Sequence, residues 1–189
     1  MQGAGNVFRN VHYDDFIKTF SATEVQYQKA FQLWGEEKWS DLYQYFKANN
    51  LNGGWPPFNG AKSIIKTEKG NQLAGKVFDR FQGNEQLSGG FASPVLNSSE
   101  GVADLVFTYD SRALASQIQD GTHYIKFKLK DNLPGNLEFE YGEAIPWFNL
   151  PGNADQIKTS IPFQNLKDNV EILEVLKYDG INNKWVKIK

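Results

Sequence analysis

The sequence predicts an α+β fold: an N-terminal helical segment followed by a compact, mainly antiparallel β-sheet domain. Three observations predict it. Large apolar residues recur at helical spacing only before residue 50. From Trp55 onward, short strand-like runs alternate with Gly, Asn and Pro breaks. No helix-length segment separates those runs, as a parallel doubly wound sheet would require. With 189 residues and an apolar fraction of 40%, the chain can build the core of one domain, which excludes wholesale disorder.

The helical part comes first. Residues 1–12 carry Gly3, Gly5 and Asn6 without periodicity and read as a tail or linker. Ser21-Ala22-Thr23-Glu24 has the Ser-x-x-Glu form of a capping box, and Val25, Phe31 and Trp34 follow it as one helix. After Gly35, Trp39, Leu42, Tyr43 and Phe46 form a second apolar stripe, stopped by Asn49, Asn50, Gly53 and Gly54. Residues 13–50 are therefore expected to be a helical hairpin whose aromatic stripe packs in the core. The division this implies is 1–54 for tail and hairpin, and 55–189 for the sheet domain.

Strands are expected near 76–81, 104–109, 123–129, 137–141, 157–161, 170–177 and 184–188. Within 123–129, Ile125, Phe127 and Leu129 fall on one face and Lys126 and Lys128 on the other, as in a half-buried strand. Tyr178-Asp179-Gly180-Ile181-Asn182-Asn183 reads as the turn of a C-terminal hairpin.

Charge and composition remove several function classes. The 20 basic and 22 acidic residues leave a net charge of −2 with no basic cluster, so nucleic-acid binding is not expected. Cysteine is absent, which excludes disulfides, thiol nucleophiles and thiolate metal sites. No apolar run approaches membrane length and no signal peptide opens the chain. The expectation is a cytosolic protein or the excised end of a longer secreted polypeptide. The only histidines are His12 and His123, and there is no HExxH, GxSxG or P-loop, so neither a hydrolytic triad nor a zinc site is expected. His123, at a strand start, reads as an exposed strand-end residue.

Four segments remain as candidate chemistry. Arg80, between Phe78 and Phe81, offers a planar fork for phosphate or carboxylate, or else a structural ion pair with Asp79. Arg112 sits where a loop enters a short helix and on its own reads as an ordinary surface arginine. Gly89-Gly90-Phe91-Ala92-Ser93-Pro94 joins a flexible turn to a rigid one and carries Phe91 as a stacking surface or a core residue. Finally, Ile145-Pro146-Trp147-Phe148 leads through a Pro-bounded, Gly-containing turn to Gln156, a polar side chain held at a fixed place.

Taken in order, Trp-Pro-Pro-x-Asn-Gly, Phe-Asp-Arg-Phe, Gly-x-Phe-x-Ser-Pro, Ser-Arg-Ala-Leu and Pro-Trp-Phe-x-x-Pro-Gly-x-x-x-Gln resemble the tuberculosis necrotizing toxin (TNT) domain family. The match runs from Trp55 to Val175, roughly two thirds of the chain. The family comprises NAD glycohydrolases, which cut NAD(P) into nicotinamide and an ADP-ribose product. The resemblance implies that Gln156 and Arg80 carry catalysis, Arg80 by holding the pyrophosphate. It implies substrate-binding roles for Phe81, Phe91, Arg112, Tyr124 and Trp147, and no metal site. NAD+ or NADP+ would be the substrate, with no further cofactor. It also implies a secreted or delivered effector acting in a target-cell cytosol, an immunity protein in the producer, and no membrane insertion or nucleic-acid partner.

Phe148-Asn149-Leu150-Pro151-Gly152-Asn153-Ala154 departs from the family's glycine-richer loop, which predicts a stiffer turn. Two alternatives stand beside this reading. Glu138-Phe139-Glu140 has the Glu-x-Glu form of an ADP-ribosyltransferase, although the Ser-Thr-Ser strand that accompanies it is missing. A non-enzymatic module binding carbohydrate or peptide through exposed aromatics is the other.

Overall fold

The computed structural model describes residues 12–62, 66–98 and 100–189. The expected tail lies almost wholly outside the described residues. Helices α1 (Tyr13–Phe16), α2 (Glu24–Gly35) and α3 (Trp39–Ala48) come first among the described elements. They are followed by strands β1 (Lys66–Lys69), β2 (Val77–Gln82), β3 (Phe91–Pro94), β4 (His123–Leu129), β5 (Glu138–Glu143), β6 (Asp155–Thr159), β7 (Val170–Asp179) and β8 (Lys184–Lys187). The strands form one sheet in the order β1-β5-β6-β3-β2-β4-β7-β8, with each neighbouring pair antiparallel. The fold is α+β, as the break in texture at Trp55 predicts.

Alternation along the strands sorts side chains onto two faces. One face carries Phe78, Ala92, Ile125, Phe127, Phe139 and Ile157, and the loops that hold Leu73, Leu137, Phe163 and Leu166 close over it. The other face carries Asp79, Phe81, Phe91, Tyr124, Glu140, Gln156 and Lys158, as the cross-strand pairs Phe81–Tyr124, Phe91–Lys158 and Glu140–Lys158 require. Leu176 of β7 joins this face as the cross-strand partner of Tyr124, and Leu105 covers part of it by packing with Phe81, Tyr124 and Leu176.

The hairpin has its own aromatic core of Phe16, Phe20, Trp34, Leu42 and Phe46, completed by Ile145 and Trp147 from the sheet half of the chain. Trp147 is 2% exposed. Its ring lies 5.1 Å from Tyr43 and 5.4 Å from Phe46, and its Nε1 donates to the carbonyl of Gly54 at 2.9 Å. The aromatic stripe of the hairpin is core packing, as expected.

Three local expectations need correction. The capping box lies two residues later: Gln26 N–H donates to Thr23 Oγ1 (3.3 Å), and Thr23 N–H donates to Gln26 Oε1 (2.9 Å). Thr23 wins because the helix begins at Glu24, whose own carboxylate accepts from Tyr13 Oη at 2.8 Å. Residues 104–109 are not a strand. Leu105 is buried, Val106 is 53% exposed, and the Phe107 carbonyl accepts from Arg112 rather than from a neighbouring strand. His123 is buried, not exposed, because β4 is an interior strand covered by β2 and β7; its Nδ1 makes no hydrogen bond to any described residue.

Two strands escaped the pattern. β1 is a charged edge strand, and β3 is short and ends in proline, which ordinarily speaks against a strand. Val95 N–H bonds Val77 O at 3.0 Å, so the adjacent Phe78–Pro94 pair is a non-hydrogen-bonded one and needs no N–H from proline.

The segment 144–154 ties these parts together. Ile145 N–H bonds Gly60 O (2.9 Å), Asn153 N–H bonds Ala144 O (2.7 Å), and Ala154 N–H bonds Ser111 O (2.9 Å). Gly152 has φ +68, and a Cβ there would stand 2.6 Å from the backbone of Ile145 and Pro146. Gly152→Ala is therefore expected to cost at least about 2 kcal/mol, from strained backbone and a contact that cannot yield. Trp147→Ala, which leaves a large void in the hairpin core, should cost about 3–5 kcal/mol. Denaturant unfolding measures both, and an unchanged midpoint for either would refute the clasp assigned to this segment.

Candidate anion-binding cleft

A cleft of about 530 Å³ opens on the second face of the sheet. Its floor includes Phe81, Phe91 and Gln156. One wall is the turn Trp55–Gly60 with Ile145, Trp147 and Phe148, and the other is the loop from Tyr109 to Gln119. Among the described residues, the charged side chains bordering it are Arg80 and Arg112, with no aspartate or glutamate. The remaining polar groups are mostly neutral amides, including Asn59, Gln82, Gln117 and Gln119. A cleft so lined attracts anions.

The two arginines differ. Arg112 is 8% exposed, not an ordinary surface arginine, and its Nη1 lies 2.6 Å from Asp79 Oδ1. Nε and Nη2 donate to the Phe107 carbonyl at 3.1 and 2.7 Å, and Nη1 donates to the Asp79 carbonyl at 3.3 Å. Its guanidinium also lies over the Phe81 ring, 4.9 Å from the centroid, and so props that ring from within the protein. Tyr124 Oη donates to the other Asp79 oxygen at 2.9 Å. Burial pushes the Asp79 carboxyl up from its ordinary value, opposed by Arg112 and Tyr124. Burial, helped by Asp79, pushes the Tyr124 phenol up and keeps it a donor.

Arg80 has no such partner. The β2–β3 pairing covers Phe78–Pro94 and Asp79–Ser93, and Arg80 borders the cleft where that register ends. Its Nη1 donates to the Phe91 carbonyl at 3.0 Å, and Nε makes no hydrogen bond to a described residue. No carboxylate of a described residue lies within ion-pair distance of it. Burial alone pushes its guanidinium down to about 10, so it remains charged at neutral pH. The sequence left open whether Arg80 pairs with Asp79; Asp79 instead takes Arg112.

Gly89 frames the guanidinium. Its N–H donates to Gln164 Oε1 (2.8 Å), its carbonyl accepts from Phe163 N–H (2.8 Å), and a Cβ there would stand 2.6 Å from Arg80 Nη1. Only glycine lets the backbone come so close to this arginine at φ +79.

The other candidates fall as follows. Phe81 and Phe91 both border the cleft, Phe81 nearly buried and Phe91 36% exposed. Gln156 is half-buried on β6, opposite Gly142 of β5, and its carboxamide bonds no described residue. Trp147 borders the cleft from the wall that the hairpin holds in place. Tyr124 is fully buried beneath Phe81 and does not line the cleft. Missed by sequence reasoning are Asp79, which anchors Arg112, Tyr109, and Trp55. Trp55 is 57% exposed at the cleft mouth, edge-on to Phe148 with centroids 5.3 Å apart. Its place in the Trp-Pro-Pro motif was the available signal. The loop at 148–154 keeps left-handed backbone without the extra glycines: Asn149 has φ 61 and Asn153 φ 73. Asparagine tolerates that region better than other side chains do.

Among the described residues no group of three or more His, Asp or Glu side chains is placed to hold a metal ion, and no helix is long and apolar enough to cross a membrane.

Two outcomes test this electrostatic arrangement. Gly89→Ala displaces Arg80 and should weaken binding of ADP, a diphosphate probe, about tenfold or more by calorimetry, a loss of about 1.4 kcal/mol. Asp79→Ala strands Arg112 as an uncompensated buried charge and should cost about 3–5 kcal/mol in stability. Unchanged ADP affinity in the first, or unchanged stability in the second, would contradict the separate duties of the two arginines.

No protein-family model matches the chain, and no curated protein matches it. Among solved structures the chain is similar to the tuberculosis necrotizing toxin (TNT) complexed with its immunity factor IFT, at 18% identity and a TM-score of 0.37. The likeness covers 71% of this chain, and the chain spans 55% of the length of that toxin.

Proposed function

We propose that the chain is an NAD(P)+ glycohydrolase, cleaving the nicotinamide–ribose bond to release nicotinamide and an ADP-ribose product. The observation that carries the reading is Arg80, a half-buried cation that, among the described residues, has no carboxylate partner and borders a cleft without an acidic side chain. Such a charge calls for an anionic ligand, and a guanidinium suits a pyrophosphate better than an ammonium would. The ordered motifs from Trp55 to Gln156 support the same substrate.

The chemistry asks little of a general acid. The leaving group is a cationic pyridinium that departs as neutral nicotinamide, and the ribose left behind is oxocarbenium-like. Catalysis then consists of holding the dinucleotide, positioning C1′ and admitting a nucleophile. In this reading Arg80 holds the pyrophosphate while Phe81 and Phe91 flank the nicotinamide riboside. Arg112 and Tyr124 act from beneath, by fixing Asp79 and Phe81. Trp147 keeps the opposite wall in place. Gln156, free of internal bonds and half-buried on the cleft floor, hydrogen-bonds the ribose or orients the incoming water. The resemblance extends this to a delivered effector that depletes NAD in a target-cell cytosol, with an immunity protein covering the cleft in the producer.

Nicotinamide release from NAD+ and NADP+ by the purified protein is the test. The wild type should release nicotinamide rapidly. Gln156→Ala should lower kcat a hundredfold or more with little change in KM, since its contact matters most in the transition state. Arg80→Ala should raise KM strongly. No release by the folded wild type from either dinucleotide would overturn the proposal.

A further inference from the structure

A second cavity, of about 340 Å³, adjoins the cleft and shares Pro56, Asn59, Phe91 and Gln156 with it. Gln156 and Phe91 thus stand in the partition between two chambers. The second chamber lies over β5 and β6, and its floor opens at Gly142, which sits opposite Gln156 in the register and presents no side chain. Phe58 contributes an apolar wall, and Glu140 and Lys158 contribute the charges.

Glu140 is the informative group. Among the described residues it is the carboxylate of both chambers; the main cleft has none. It lies directly across from Lys158, yet the two are not within ion-pair distance. Glu140 and Gln156 are diagonal neighbours on one sheet face, and such neighbours stand about 7–8 Å apart between their backbones. That separation leaves room for a small group between the two side chains.

Size then separates a water channel from a binding site. A water takes up about 30 Å³ of liquid volume, so the chamber is much larger than a hydrolytic nucleophile needs. It has an apolar wall, one open floor position and, among the described residues, one carboxylate. From this the geometry points to an acceptor site for a small organic alcohol, with Glu140 as the base that takes its hydroxyl proton. This rests on the glycohydrolase reading and adds transfer to it. The C1′–N bond breaks with its electron pair going to the pyridinium nitrogen, and neutral nicotinamide leaves. The alcohol oxygen forms the new C1′–O bond, and its proton passes to Glu140 and then to solvent. The net change converts NAD+ and alcohol to nicotinamide, an O-alkyl ADP-ribose and one proton.

The experiment offers NAD+ to the full chain in water containing methanol or benzyl alcohol, and resolves the products by mass spectrometry. O-benzyl ADP-ribose should form in at least tenfold excess over the alcohol-to-water mole ratio. Gly142→Val, which fills the floor, should cut the benzyl share about tenfold and leave the methyl share much less affected. Glu140→Gln is isosteric and tests the chamber even if Gly142→Val fails to fold. It should lower turnover about tenfold or more without weakening NAD+ binding. Nicotinamide release without excess benzyl product, or a product ratio indifferent to Gly142→Val, would overturn the acceptor site alone. Failure to release nicotinamide at all would overturn the glycohydrolase reading and this site with it.

Discussion

The structure depends on one clasp, the backbone of residues 144–154 folded back on itself and on two distant loops. Gly152 lies so close to Ile145 and Pro146 that no Cβ fits between them. That approach lets Asn153 N–H donate to Ala144 O and Ala144 N–H donate to Ala154 O across the turn, and it presents Ile145 to Gly60 and Ala154 to Ser111. Through Gly60 the clasp fixes the Trp55–Gly60 wall, and through Ser111 it fixes the loop that carries Arg112. Trp147, projecting from it, is driven into the helical hairpin by the burial of a large indole. Gln156 follows two residues after the clasp ends, so its position on the cleft floor is inherited from the same constraint.

A second constraint is electrostatic. Two arginines border one cleft, and the protein neutralises only one of them. Asp79, Tyr124 and the Phe107 carbonyl satisfy Arg112 internally, which keeps a buried carboxylate and a buried guanidinium from being stranded. Arg80 keeps its charge with a single carbonyl partner. A half-buried cation with no carboxylate partner costs some desolvation, and its place beside a cleft that no described acidic residue borders is what an anion site requires. The glycine at position 89 belongs to the same device, since any larger residue would displace the guanidinium.

Position in the sheet also distributes the chemistry between two chambers. Gln156 is placed by β6 between a cleft with arginines and a cavity with Glu140, so one amide can address both. Alternation makes this automatic: Glu140, Gly142, Gln156 and Lys158 share a face because cross-strand partners must. The missing side chain at Gly142 is what leaves that face open next to Gln156.

Much of this was legible in the sequence, where the signal is local. Helical spacing in residues 13–50, alternation in 123–129 and turn chemistry at 178–183 arise from periods and backbone preferences that a single segment carries. The residues that border the cleft were legible as an ordered set of motifs, and Arg80, Phe81, Phe91, Arg112, Trp147 and Gln156 do meet around it. What the tertiary structure decided was partnership. Residues 104–109 alternate like a strand but find no edge to pair with, whereas Phe91–Pro94 becomes a strand because β2 and β6 offer edges on both sides. Adjacent in sequence, Asp79 and Arg80 alternate across β2: Asp79 shares the second face with Tyr124 and takes Arg112, while Arg80 starts from the first face and reaches the cleft border beyond the end of the β2–β3 register. A choice among ionic partners depends on which side chains share a sheet face across many residues of chain, and no local pattern encodes that.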